Sequence, residues 1–296
     1  MRKLPSTRVF ARTRPGALPI PATLDVSAFT NISVFEKWSD EAAGVRAVAT
    51  GDNVISMFDV IGQDYWSGGG ITAKSVTAQL RAIGDRPVEV HVNSPGGDMF
   101  EGIAIYNVLR EHSQEVTVKI MAMAASAASI IAMAGDRVEI GAASFLMIHN
   151  CWVLAIGNQF DLRETADYLA PFDQAMADLY AQRSGQSAEK VTKWMAANGG
   201  DGTYMSGSQA IERGFADALL SADNMKVDDT AKSRDRDVNE LRALELSLVN
   251  AGMNRTDARA RINKIKGTPG AAPEATPGAG EDWSGLAGLL ASISAT

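Results

Sequence analysis

Three separated stretches hold residue types that can form and stabilise an acyl intermediate: "NSPGGD" (93–98), "MAMAASAASIIAMAG" (121–135) and "SFLMIHN" (144–150). Ser126 falls where an apolar strand should give way to a helix. A serine there is an N-cap candidate. It is also where a nucleophile would be exposed, with the next N–H groups aimed at the reaction product. Ser129 lies one turn later, and serines inside alanine-rich helices mostly bond back to a carbonyl. His149 ends an apolar strand, and a neutral imidazole there suits a general base for a serine hydroxyl. The plainer reading is a structural histidine with a satisfied partner. Gly96 and Gly97 follow one strand and precede a helix. Their N–H groups suit an anion, either a phosphate or a developing oxyanion; a tight turn is the plainer account. The spacing matches neither a dinucleotide fingerprint nor a P-loop.

An aspartate that orients the imidazole would complete such a set. The downstream candidates are Asp161, Asp167, Asp173, Asp178, Asp201 and Asp217. Most acids of the long helical segment read as a solvated face. Asp201 lies in "NGGDGTYMS", a glycine-rich loop, and scaffolded loops are where such residues tend to sit. Of the other two histidines, His91 lies mid-strand with no evident partner, and His112 lies at a helix C-terminus, where it complements the dipole. The lone Cys151 excludes an intrachain disulfide and a cysteine-rich zinc site, and fits a reducing, cytoplasmic setting. No metal or cofactor is demanded by acyl transfer with these groups.

The elements that must hold these residues alternate. "VISMFDVIG" (54–62), "PVEVHVNSPGG" (87–97), "EVTVKIMAM" (115–123), "RVEIG" and "SFLMIHN" read as strands. "ITAKSVTAQLRAIG" (71–84), "MFEGIAIYNVLREH" (99–112), residues 126–135, 162–185 and 187–198 read as helices. Pro171 predicts a kink or break in the long one, and Ser187 an N-cap. The alternation implies an α/β fold with parallel pairing. Residues 1–30 read as a flexible arm, 31–222 as the principal domain, 223–266 as a charged linker and helical hairpin, and 267–296 as a Gly/Pro/Ala-rich disordered tail. A net charge of −7 argues against a nucleic-acid surface. No window reaches the roughly 20 apolar residues of a membrane helix.

In this order, "NSPGGD…GIAIYNVL", "MAMAASAASIIAMAG", "SFLMIHN", a long helix and "YMSGSQAIERGFAD" resemble the Clp protease proteolytic subunit family over residues 53–220. The likeness is strongest to its phage and prophage members, the head maturation proteases. It implies a Clp-protease/crotonase-like fold of repeated β-β-α units and a serine endopeptidase. By position it implies Ser126 as nucleophile, His149 as base, and the N–H groups of Gly97 and Ala127 as the oxyanion hole. Ser129 has no catalytic role in that pattern. The family aspartate lies two residues before an aromatic, a place held here by Gly202. Asp201 is one residue further, and the flanking glycines could absorb the shift, so Asp201 is the expected acid. A Ser–His dyad, or another group orienting His149, is the alternative. The resemblance further implies polypeptide substrates, a homo-oligomer of stacked rings, and a ring ATPase or phage capsid and portal proteins as partners.

Three rivals share part of the pattern. Signal-peptide peptidases have a similar glycine turn but use a Ser–Lys pair. Crotonase-type acyl-CoA enzymes hold a thioester enolate on paired N–H groups and need no Ser–His pair. A capsid-assembly subunit with a decayed site would keep the fold alone.

Overall fold

Valine- and isoleucine-rich runs build the centre of the molecule, a seven-stranded sheet. The computed structural model describes residues 32–42, 45–47, 51–153, 155, 157–220, 225–227 and 229–266. The expected arm (1–30) and tail (267–296) lie outside the described residues. Strands β2 (Val54–Met57), β3 (Val88–Ser94), β4 (Val116–Ala125), β5 (Arg137–Ile140) and β8 (Ala218–Leu219) lie side by side in that order, all parallel. β3 is buried along nearly its whole length, as expected of a central parallel strand covered on both faces.

β4 is longer than its neighbours and serves two of them. Its first half, Thr117 to Ile120, pairs with β5. Its end, Met123 to Ala125, pairs in parallel with β6 (Phe145–Ile148). The register sets Ala125 against Met147, so the chain leaves β4 at Ser126 and β6 at His149 close to the same level. Beyond β6 lies β7 (Thr203–Ser206), the one antiparallel member, with Ile148 opposite Thr203.

Helices α2 (Ala73–Ile83), α3 (Met99–Arg110), α4 (Ala127–Ala132), α5 (Gln159–Ser184) and α6 (Ala188–Met195) share one apolar core with the strands. Ile105, Leu109, Val118, Ile130 and Tyr180 lie deep in it. Side chains alternate across a strand, and Met123, Ala125 and Met147 belong to a second cluster. There they meet α1 (Ile32–Glu41), through Val34, Phe35 and Trp38, and Leu246 of α8 (Asp229–Asn250). Trp38 Nε1 donates to the buried Asn93 Oδ1 at 3.0 Å, tying α1 to β3. A short helix α7 (Gly207–Glu212) follows β7, and α9 (Arg255–Lys266) packs on α8.

Several expectations are corrected. "VISMFDVIG" is a strand only to Met57; the rest is a loop in which Ile61 makes isolated bridges to Ile71 and Gly97. The helix through Pro171 runs unbroken from Gln159 to Ser184. Pro171 faces solvent, where water can serve the carbonyl that its missing N–H leaves. Residues 225–227 are not linker: they form β9, antiparallel to β1 (Val45–Ala47), and α8 starts at Asp229. His91 does have a partner, Glu89 Oε2 at 2.9 Å.

Candidate active site

Ser126 sits between β4 and α4 with φ 54° and ψ −126°. A non-glycine residue in that region costs about 1–3 kcal/mol. Its side chain makes no capping bond, so the N-cap reading does not hold. The hydroxyl lies 2.7 Å from His149 Nε2. Strain is therefore spent on turning Oγ out of the helix-capping position and toward the imidazole.

The peptide after Ser126 is also held. Its carbonyl accepts the Ser129 N–H at 2.9 Å and the Ser129 hydroxyl at 2.6 Å. Ser129 Oγ in turn lies 2.7 Å from the hydroxyl of the buried Tyr180. In a trans peptide the C=O and the next N–H point opposite ways. Fixing the Ser126 carbonyl therefore aims the Ala127 N–H away from the helix. Ser129 bonds back to a carbonyl, as a serine in an alanine-rich helix should.

Gly97 supplies a second outward N–H. Ile61 N–H donates to Gly96 O at 2.8 Å, and Asp98 N–H donates to Ile61 O at 2.9 Å. In that parallel bridge the N–H of Gly97 points away from Ile61. Only glycine fits here. Gly96 and Gly97 have φ 91° and 146°. A Cβ on Gly97 would stand 2.1 Å from Ile61 O, and one on Gly96 would stand 2.6 Å from Ser126 Cβ and 2.9 Å from Ala127 N. Among the described residues neither the Gly97 nor the Ala127 N–H donates a hydrogen bond.

His149 is buried at the end of β6. Burial pushes its imidazole down to about 4, against the charges of Asp173 and, less strongly, Asp201. It is thus neutral at neutral pH. Its Nδ1 is buried with no hydrogen-bond partner. Asp201 caps a 3₁₀ turn (Ala197–Gly200) and is exposed, so it does not bond to Nδ1. Gly202 packs on His149: a Cβ there would stand 2.5 Å from His149 Cβ and 2.1 Å from Ile148 O.

Reading the long-helix acids as a solvated face misses Asp173. Its Oδ2 accepts from Asn150 Nδ2 and its Oδ1 from the Cys151 N–H, both at 2.6 Å. The signal was present in the spacing. Asp173 shares a helical stripe with Met176, Ala177, Tyr180 and Ser184, which are buried.

Ser126, Gly97, Ala127 and His149 line a hollow together with Met99, Ile130, Cys151, Trp152 and Met176. Burial raises the Cys151 thiol far above its usual range, so it stays protonated and does not compete as a nucleophile.

A family model for Clp protease matches residues 70–223. The chain belongs to the Clp protease family. Its α/β fold, with a mixed sheet and flanking helices, is that of the family. The ATP-dependent Clp protease proteolytic subunit of Bacteroides fragilis is 30% identical over 155 residues, covering 50% of this chain and 73% of the relative. The one from Ligilactobacillus salivarius is 28% identical over 154 residues, covering 50% of this chain and 76% of the relative. Among solved structures, a mutant of ClpP1 from Listeria monocytogenes aligns with a TM-score of 0.48 and 20% identity, covering 57% of this chain and 92% of that one. The Clp protease match starts at residue 70 and ends at 223. Helices α1, α8 and α9 lie outside it, as does the Ile61 segment that brackets Gly97. Among the described residues no helix is long and apolar enough to cross a membrane, and no group of three or more His, Cys, Asp or Glu could hold a metal.

Proposed function

We propose that this chain is a serine endopeptidase that cleaves polypeptides through an acyl-enzyme. The supporting observation is the 2.7 Å contact between His149 Nε2 and Ser126 Oγ, beside two outward N–H groups. Ser126 Oγ attacks the substrate carbonyl carbon while its proton passes to His149 Nε2. The carbonyl oxygen takes the negative charge and is received by the N–H groups of Gly97 and Ala127. The tetrahedral species collapses, the C–N bond breaks, and His149 Nε2 returns the proton to the departing amine nitrogen. Water, deprotonated by His149, then hydrolyses the ester and restores the Ser126 hydroxyl. The hollow lined by Met99, Ile130 and Met176 favours an apolar side chain on the acyl side of the cut.

Asp201 is retained as a candidate acid, since its charge acts on His149. The molecular setting we propose is a homo-oligomer of stacked rings that uses α5, acting in the cytoplasm with a ring ATPase or in phage capsid maturation. The Ser–His contact speaks against a Ser–Lys site, a crotonase and a decayed capsid subunit alike.

A fluorophosphonate probe tests the reaction class. Wild-type protein should be labelled at Ser126, and Ser126→Ala and His149→Ala should not. An inert wild type would leave the crotonase and decayed-site readings standing.

A further inference from the structure

We infer that Asp173, on α5, is the principal carboxylate positioning and electrostatically supporting His149; the inference rests on the serine-peptidase reading above. The β6–β7 ladder ends at the Ile148–Thr203 pair, so His149 and the residues after it leave the sheet without a strand partner. Asp173 takes over at that point. One carboxylate oxygen holds the Asn150 side chain and the other the Cys151 N–H, each at 2.6 Å. Hydrogen bonds to an ionised acceptor are short and roughly twice as strong as neutral ones. The clamp also comes from the buried stripe of a 26-residue helix, a rigid support. Asp201 instead stands exposed in a turn where Asn198, Gly199, Gly200 and Gly202 all have positive φ. Water screens a charge in such a place more than one at the edge of the core.

The need for this support is specific. His149 is buried, and the proton it gains during acylation would make an imidazolium with no hydrogen bond at Nδ1. A fixed negative charge nearby lowers the cost of that state. The groups acting on the ring are few. The charges of Asp173 on α5 and, less strongly, of Asp201 in the turn before β7 act on it, and Ser126 Oγ occupies the other ring nitrogen. The Cys151 thiol, on the same segment, is neutral.

Asp173→Asn separates charge from shape. Asparagine can still accept from the Cys151 N–H through its oxygen. Its amide can donate to Asn150 Oδ1, which now has no partner. The full chain, Asp173→Asn and Asp201→Asn are compared by fluorophosphonate labelling rate across pH, by kcat and KM on a fluorogenic peptide, and by thermal melting. Asp173→Asn should lower the labelling rate and kcat on the order of tenfold or more with KM little changed. Its acid limb should move to lower pH, because losing a negative charge disfavours the imidazolium. Asp201→Asn should change both by less. A larger loss, or a larger shift, in Asp201→Asn overturns the inference while Ser126 labelling still upholds the peptidase. If Asp173→Asn loses its cooperative melt, the Asp201→Asn arm decides: near wild-type labelling supports Asp173, and a large loss overturns it. A wild type that is never labelled removes the peptidase reading and this inference with it.

Discussion

At Ser126 and His149 two unfavourable choices meet: a positive φ on a serine and a titratable ring in a buried site. Each is costly for the fold and useful for a nucleophile–base pair. The folded imidazole is held at about 4, against 6.5 when unperturbed. Between those values the unfolded chain binds a proton that the folded chain does not, so stability rises with pH through that window. Acidification from pH 7 to 4 should therefore cost on the order of 3 kcal/mol at this residue. Chemical denaturation of wild type and His149→Gln across that range would check it: the variant should lose much of the pH slope. On the proposed serine-peptidase reading, the labelling rate should keep its acid limb well below 6.5, because His149 stays neutral there. These residues were legible because serine at a strand-to-helix junction and histidine at a strand end are informative in combination. Asp173 was not, because an acid within a helix full of acids looks solvated until the buried stripe beneath it is traced.

The glycine turn shows how elements hold the site. Ile61 occupies one edge of the Gly96–Asp98 turn, which leaves the Gly97 N–H on the other. The loop carrying Ile61 is itself pinned by Arg242 of α8. Arg242, buried, pairs with Asp59 at 2.8 Å and Asp64 at 3.0 Å. Nearby, Trp66 Nε1 donates to Glu245 at 2.6 Å. Removing the cation would leave the buried Asp64 and the partly exposed Asp59 without their charge partner. Arg242→Leu should destabilise the protein by about 3–5 kcal/mol, measured by urea denaturation. Where the fold survives, peptidase activity should fall too, through the loosened Ile61 loop. The parallel core was legible from alternating strands and helices. The docking of α1 and α8 was not, because amphipathic segments reveal that they pack but not which face of a sheet they cover. Pro171 misled for a related reason: its cost depends on whether the orphaned carbonyl meets water.

On the scale of the whole molecule, the N-terminal half of α5 is the most conspicuous surface. Phe160 is 68% exposed, and Leu162 and Tyr168 are 46% and 44% exposed. Such a run on one exposed helix is the kind of patch that marks a protein contact. Phe160→Asp with Leu162→Asp should shift the protein to a smaller species in analytical ultracentrifugation while leaving the melt of the monomer nearly unchanged. The same mass in both would remove α5 as the assembly surface.

The pairing of Arg242 with Asp59 and Asp64 spans more than half the chain. It therefore sets an order in time during translation. A ribosome delivers Ser126 and His149 well before it delivers residue 242. Until then Asp59 and Asp64, in the loop that carries Ile61, lack their counter-ion. The ion pairs that hold the Ile61 loop therefore form only after residue 242 has been made.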